Sequence, residues 1–272
     1  MKLNKELEHK LEGLISFLKD KKLIVAFSGG VDSSLLAYLS HKYGKETLLI
    51  TERSILYNEN EIDEATNFAK KHQIPHIILD FNPLNDKNFT KNPVNRCYIC
   101  KKGLYSGIIK IKEEKEFDLI LDGTNLSDLS DFRPGMQALK ELQINTPYID
   151  FKLSKKEIRE ISRFYNLDVH SKPSMACFAS RIPYGLVIDE EKLNKIREAE
   201  EFLKNTFNLK QLRVRVHEQD LARIEFLTDD FSSVLTVNNL LIIKEKFKEL
   251  GFCYVTFDIE GFRSGSLNEI FL

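Results

Sequence analysis

The sequence lacks an excess of either charge, a long apolar run, an internal repeat and any low-complexity stretch. Its 40 basic residues against 41 acidic ones leave a formal net charge of −1. Residues 1–150 carry 21 basic and 22 acidic groups, and residues 151–272 carry 19 of each, so no basic domain or tail stands out. That weighs against a nucleic-acid binder held mainly by phosphate contacts. No apolar run approaches the roughly 18 residues of a membrane span. The first twenty residues alternate charges with leucines and have no signal-peptide core. We therefore expect a cytoplasmic protein with no membrane partner. Cysteine is scarce, with four residues at 97, 100, 177 and 253. In a reducing compartment these are not structural disulfides, so their presence asks for a chemical reading.

What remains is ordinary soluble usage, with 42% hydrophobic and 30% charged residues among 272. At about 150 residues per domain this is one large domain or two unequal ones. A chain of this length buries about three quarters of its unfolded surface and needs no metal or disulfide to fold.

Residues 5–19 repeat leucine at helical spacing and predict an amphipathic helix. LIVAF (23–27), TLLIT (47–51), HIILD (76–80) and DLILD (118–122) are short apolar runs, suited to strands buried on both faces. Helical segments are expected at 59–71, near 99–112, at 131–142 and at 154–165. In the last of these, Ser154 with Glu157 forms a capping box. This alternation predicts an α/β fold, a parallel sheet with helices on both faces. Beyond about 165 the texture changes. A loop over 170–188 precedes a long helix near 189–206. QLRVRVH (211–217) alternates strictly, which predicts a half-buried strand with Arg213 and Arg215 on its other face. LARIEF (221–226), a helix at 238–250 and FCYVTFD (252–258) complete a smaller C-terminal α+β domain. Cys253 in that last apolar run is expected to pack in the core.

Ser28-Gly29-Gly30-Val31-Asp32-Ser33-Ser34 follows the first strand and opens a helix. Glycines let the backbone come close to a ligand, and a helix start attracts anions. No Gly-Lys-Ser/Thr closes the loop, so it is not a Walker A motif. This string resembles the pyrophosphate loop of the N-type ATP pyrophosphatases, which cleave ATP between the α and β phosphates. The resemblance implies adenylylation of a substrate, with Asp32 near a magnesium ion. Asp122-Gly123-Thr124-Asn125 ends the fourth strand. Its loop should face the same crevice, because ligands of open α/β sheets bind outside the strands' carboxyl ends.

Arg96-Cys97-Tyr98-Ile99-Cys100-Lys101 contains a C-x-x-C, by itself a weak signal for zinc or redox chemistry. Cys177 lies in a Pro-bounded loop beside Ser180 and Arg181, where nearby cations favour a thiolate. The motifs SGGVDSS, NRCYICK, DGTN followed by DFRPG (131–135), ACFASRIPYG (176–185) and EGFRSGS (260–266) occur in that order. Together they resemble the LarE family of ATP-dependent sulfur transferases, which help make the nickel-pincer nucleotide cofactor. The match runs from 28 to about 269, and the last two segments are the most discriminating.

The resemblance implies an ATP pyrophosphatase domain over 1–168 and an active-site loop or linker over 169–188. It implies a substrate-binding and oligomerisation domain over 189–272. It implies a pyridinium-3,5-biscarboxylate mononucleotide as substrate, with ATP cleaved to AMP and pyrophosphate at Ser28, Gly29, Gly30, Val31, Asp32, Ser33, Ser34, Gly123 and Thr124. Lys101 would neutralise the acyl-adenylate. Ser180, Arg181, Arg213 and Arg215 would hold the substrate phosphate. Two sulfur routes occur in the family. In one, the cysteine matching Cys177 gives up its own sulfur. In the other, three cysteines hold a [4Fe-4S] cluster carrying exchangeable sulfide. Because the C-x-x-C is present, the cluster route on Cys97, Cys100 and Cys177 is favoured. Glu201 and Glu225 are the family's candidate metal acids, without a motif to anchor them. ATP, Mg2+ and the cluster are the expected cofactors, a sulfide source and a homo-oligomer the expected partners. A tRNA thiolase and a non-catalytic ATP-binding regulator stay open as alternatives.

Overall fold

A computed structural model describes residues 3–130, 134–171, 176–263 and 265–271. Asp131, Phe132, Arg133 and Ser264, singled out within the motifs above, lie outside the described residues. The strands are β1 Lys22–Ala26, β2 Glu46–Arg53, β3 His76–Asp80, β4 Leu119–Leu121, β5 Leu212–His217, β6 Leu221–Phe226 and β7 Tyr254–Phe257. The α-helices are α1 Lys5–Leu18, α2 Val31–Tyr43, α3 Glu59–Lys71, α4 Lys87–Thr90, α5 Arg96–Glu114, α6 Gly135–Glu141, α7 Pro147–Asp150, α8 Lys155–Phe164, α9 Glu190–Phe207, α10 Phe231–Val234 and α11 Val237–Glu249. They fall into two compact units. One comprises residues 1–83 and 95–175, the other 84–94 and 176–272.

The first unit is built on a parallel sheet of order β3-β2-β1-β4. Alternate side chains of its strands feed two cores. Leu23, Val25 and Leu49 pack with α1, α2 and α3, while Ile24, Leu48, Ile50 and Ile120 pack with Tyr105 and Ile108 of α5. Both faces are thus covered, which is why the strands read as unbroken apolar runs. The capping box at Ser154 and Glu157 opens α8 as expected. One boundary differs. Helix α5 begins at Arg96, three residues before the expected start, so Cys97 and Cys100 sit in a helical first turn.

The second unit carries a mixed sheet, β5 antiparallel to β6 and β6 parallel to β7. Residues 84–94 belong here through Asn92. This buried residue has φ +53°, and its amide nitrogen lies 2.7–3.2 Å from the carbonyl oxygens of Ile182, Pro183 and Leu186. Arg215 lies on β5 and is 1% exposed. One expectation is corrected. Cys253 is exposed rather than core, because it sits at the start of β7, the sheet's edge.

Candidate active site

In the first unit the chain leaves β1 and turns into α2 through Ser28–Gly30. Gly29 has φ +67°, a conformation that disfavours any side chain. Gly30 is the N-cap of α2 and brings no capping side chain to the helix start. The Ser33 hydroxyl folds the loop on itself, accepting from the Ser28 amide and donating to the Gly30 carbonyl, each at 3.2 Å. Ser34 is wholly buried, and its hydroxyl has no partner.

Asp32 is fixed from two sides. The buried Tyr148 hydroxyl donates to its carbonyl oxygen at 2.9 Å, and Lys155 at the start of α8 pairs with Oδ2. Its other oxygen, Oδ1, is buried without a partner. Burial pushes this carboxyl up from the usual range, against the pull of Lys155.

The loop after β4 lies against the same turn. A Cβ at Gly123 would stand 3.1 Å from the Ser33 nitrogen and 3.3 Å from Asp32 Cβ, so a side chain here would press on the turn. Asp122 accepts from Lys101 Nζ at 3.0 Å, from the Thr124 amide at 2.8 Å, and from the Tyr105 and Thr124 hydroxyls. Burial would raise its pKa, but Lys101 and these donors win and hold it down at about 2. Cys97, Lys101 and Tyr105 recur every four residues along α5, so they share one helix face.

On the same side of β2, Glu52 has a buried oxygen without a partner, and burial lifts it to about 7. Sequence reasoning missed Glu52, Tyr148 and Lys155. The first is lost in a strand, and the other two meet Asp32 from more than a hundred residues away.

In the second unit Cys177 caps the short turn Phe178–Arg181. Arg181 donates to the carbonyls of Ala176 and Cys177 and to the Ser180 hydroxyl, while Glu200 holds it bidentately at 2.9 Å. Arg215 donates to the Ser180 carbonyl at 2.6 Å and to Ser266 Oγ at 2.7 Å, with both Glu225 oxygens at 2.8–2.9 Å. Glu225 also accepts from Arg223 and is 0% exposed. This corrects its reading as a metal acid, because arginines already take both oxygens. Glu201 is exposed on α9; the half-buried acid there is its neighbour Glu200, which the sequence did not mark.

Arg213 is different. Its guanidinium lies 4.8 Å over the Phe262 ring and has no ion-paired carboxylate among the described residues. Burial first, then the Arg215 and Arg181 charges, lower it to about 10. Three arginines with two paired carboxylates leave one net positive charge, a ready partner for a phosphate.

None of the four cysteines is in a disulfide. Among the described residues no three of His, Cys, Asp and Glu are grouped as for a metal ion. The donor chemistry fits a cluster nonetheless. Cys97 and Cys100 are three residues apart at the start of α5, Cys97 exposed and Cys100 half-buried, and Cys177 is half-buried. Asp32 Oδ1, buried and orphaned, fits a hard cation such as Mg2+.

A parallel sheet with helices on both faces, opened by SGGVDSS at the end of a central strand, is the fold of the pyrophosphate-loop ATP-using enzymes. A family model described as queuosine biosynthesis protein QueC matches residues 22–96. An uncharacterized protein of Synechocystis is 37% identical over 97% of this chain and 98% of its own length. The pyridinium-3,5-bisthiocarboxylic acid mononucleotide synthase of Lactiplantibacillus plantarum is 30% identical over 94% of this chain and 92% of its own. A tRNA-specific 2-thiouridylase of Clostridium perfringens is 29% identical over 65% and 60%. The chain belongs to the LarE family, that of the pyridinium-3,5-bisthiocarboxylic acid mononucleotide synthases.

Proposed function

We propose that the protein is an ATP-dependent sulfurtransferase that turns a carboxylate of pyridinium-3,5-biscarboxylic acid mononucleotide into a thiocarboxylate for the nickel-pincer nucleotide. The observation that carries this is the relative of that name, aligned over 94% of the chain. A substrate carboxylate oxygen attacks the α-phosphorus, the bond to the β-phosphate oxygen breaks, and pyrophosphate leaves. Sulfur then attacks the acyl carbon, and AMP departs with the original oxygen.

The loop Ser28–Ser34, with Gly123 and Thr124, holds the polyphosphate at the α2 start. Asp32 would hold Mg2+ through Oδ1, and the ion would screen the phosphate charge. Asp122, ionised and buried, keeps Lys101 extended towards the loop, where it neutralises the acyl-adenylate. Arg213 takes the phosphate of the mononucleotide. Arg215 and Arg181 shape its surroundings by fixing the Ser180 and Cys177 carbonyls. Cys97, Cys100 and Cys177 would hold a [4Fe-4S] cluster, which would supply exchangeable sulfide. We place the enzyme in the cytoplasm as a homo-oligomer.

Anaerobically prepared protein is expected to contain iron and sulfide, and to release AMP and pyrophosphate with the mononucleotide. Repeated turnover with added sulfide is also expected. Loss of about 34 mass units at Cys177 without bound iron moves the chemistry to the sacrificial route. ADP as the product overturns the reading altogether. The tRNA thiolase reading draws on the partial thiouridylase similarity. The near-neutral charge of both halves of the sequence counts against it.

A further inference from the structure

We propose that Glu52 is the ribose-binding acid of this site, accepting the 2′- and 3′-hydroxyls of the bound nucleotide. The inference rests on the ATP-using reading of the phosphate loop, not on the sulfur chemistry.

Glu52 is the penultimate residue of β2, one strand over from that loop. β1 and β2 pair in parallel, with Ala26 opposite Ile50. They stay in step beyond the end of β1. The Phe27 amide donates to the Ile50 carbonyl at 2.8 Å, and the Thr51 hydroxyl donates to the Phe27 carbonyl at 2.8 Å. The register carried on puts Glu52 beside Ser28, the first residue of the loop, at a strand spacing of about 4.8 Å.

The side chain belongs to the α5 face of the sheet. Side chains alternate along a strand, and Ile50, two residues earlier, packs with Tyr105 and Ile108. Lys101 and Asp122 meet on that face at 3.0 Å. An adenylyl group transferred beside Lys101 carries its ribose bonded directly to the α-phosphate. The leaving phosphates rest on the loop and the acceptor carboxylate comes in at the β4 end, so the sugar falls to the β2 end. Dinucleotide-binding βαβ units use the same layout. There an acid at the end of the second strand takes the ribose hydroxyls of a nucleotide whose phosphates sit on the first helix start.

The carboxyl is also unfinished. Ser54 hydrogen-bonds it, but Oε1 is buried with no partner. The groups around it are committed elsewhere. The Tyr105 hydroxyl donates to Asp122, Lys101 pairs with Asp122, and Arg53 pairs with Asp80 of β3 at 3.0 Å. Burial, then Asp122, then Glu52 and Tyr57 push the Tyr105 hydroxyl well up, so it faces Glu52 uncharged. Burial keeps Glu52 itself protonated up to about 7. Two hydroxyl donors favour the carboxylate, so Glu52 gives its proton to solvent as the diol binds.

The test is calorimetric binding of ATP and of 2′,3′-dideoxy-ATP, each with Mg2+, to the whole chain without mononucleotide. At pH 8 the wild type is expected to bind the dideoxynucleotide roughly 10- to 100-fold more weakly than ATP. Glu52→Ala is expected to bind both alike, at the wild type's dideoxy affinity. Circular dichroism of the variant checks that it is folded. The wild-type discrimination should shrink from pH 8 to pH 6, as the acid form becomes harder to ionise.

A purely structural Glu52 makes a different demand. Its loss weakens both nucleotides together and leaves their ratio unchanged. A ratio that survives in Glu52→Ala therefore overturns the proposal, as does a wild-type ratio within about twofold. A wild type that does not bind ATP at all overturns the ATP-using reading as well. ATP bound without discrimination overturns the ribose assignment alone.

Discussion

Asp32 and Glu225 are both acids facing a basic side chain, yet they are finished to different degrees. Glu225 is 0% exposed, and both its oxygens are taken by arginines, with Ser266 as a further donor. Asp32 has one oxygen on Lys155 and the other on nothing. The same contrast recurs between Arg215, fully engaged, and Arg213, which rests on an aromatic ring. A saturated charge holds the fold. A buried charge left short of partners is reserved for a ligand, because an unmade contact is costly until something fills it.

Five measurements break or sharpen that contrast. Glu225→Ala leaves Arg215 buried and alone, so urea unfolding should show a loss of about 3–5 kcal/mol. Asp32→Ala should leave the urea midpoint near wild type while AMP formation falls at least about 100-fold. Unchanged activity there removes Asp32 from the chemistry. Arg213→Ala should weaken mononucleotide binding by about 1.5–3 kcal/mol without a stability change, whereas Arg215→Ala should also lower stability. Equal behaviour of the two arginine variants erases the distinction.

Glu52 offers a fourth, in pH. Its folded pKa of about 7 lies above the ordinary glutamate value of 4.5, so the folded state keeps a proton that the unfolded chain releases. Stability from this group is present below the unfolded value and drains away as pH rises towards 7. Glu52→Gln should flatten that slope and stabilise the protein at pH 8 by about 2 kcal/mol. A slope unchanged in the variant assigns it elsewhere. The smallest effect is expected of Cys253→Ser, within about 0.5 kcal/mol and with iron content unaltered.

Most of the fold was legible because its signals are local. α3 and β3 end where periodicity and punctuation put them, and Ser154 announced α8. The start of α5 was not, since Asn95 caps it without a side-chain hydrogen bond. Strict alternation put Arg215 on the strand's other face without showing what covers it; the Ser180 carbonyl and Ser266 do, and neither is near in sequence. Cys253 has apolar neighbours and still lies at an edge, a matter of strand order rather than composition. The phosphate loop was plain as a string. Its partners were not, because Lys155 and Tyr148 reach Asp32 only once the sheet is assembled.

Asn92 carries a consequence for how the chain can be made and cut. It is synthesised in the first third of the polypeptide, yet its side chain serves carbonyls of residues 182–186. The second unit therefore waits, during synthesis, with an early segment already out and its counterpart unmade. No single cut yields either unit whole. A fragment starting at residue 176 lacks the amide that satisfies those carbonyls. A fragment ending at 175 carries residues 84–94 with their buried amide exposed. Limited proteolysis should release no stable C-terminal piece.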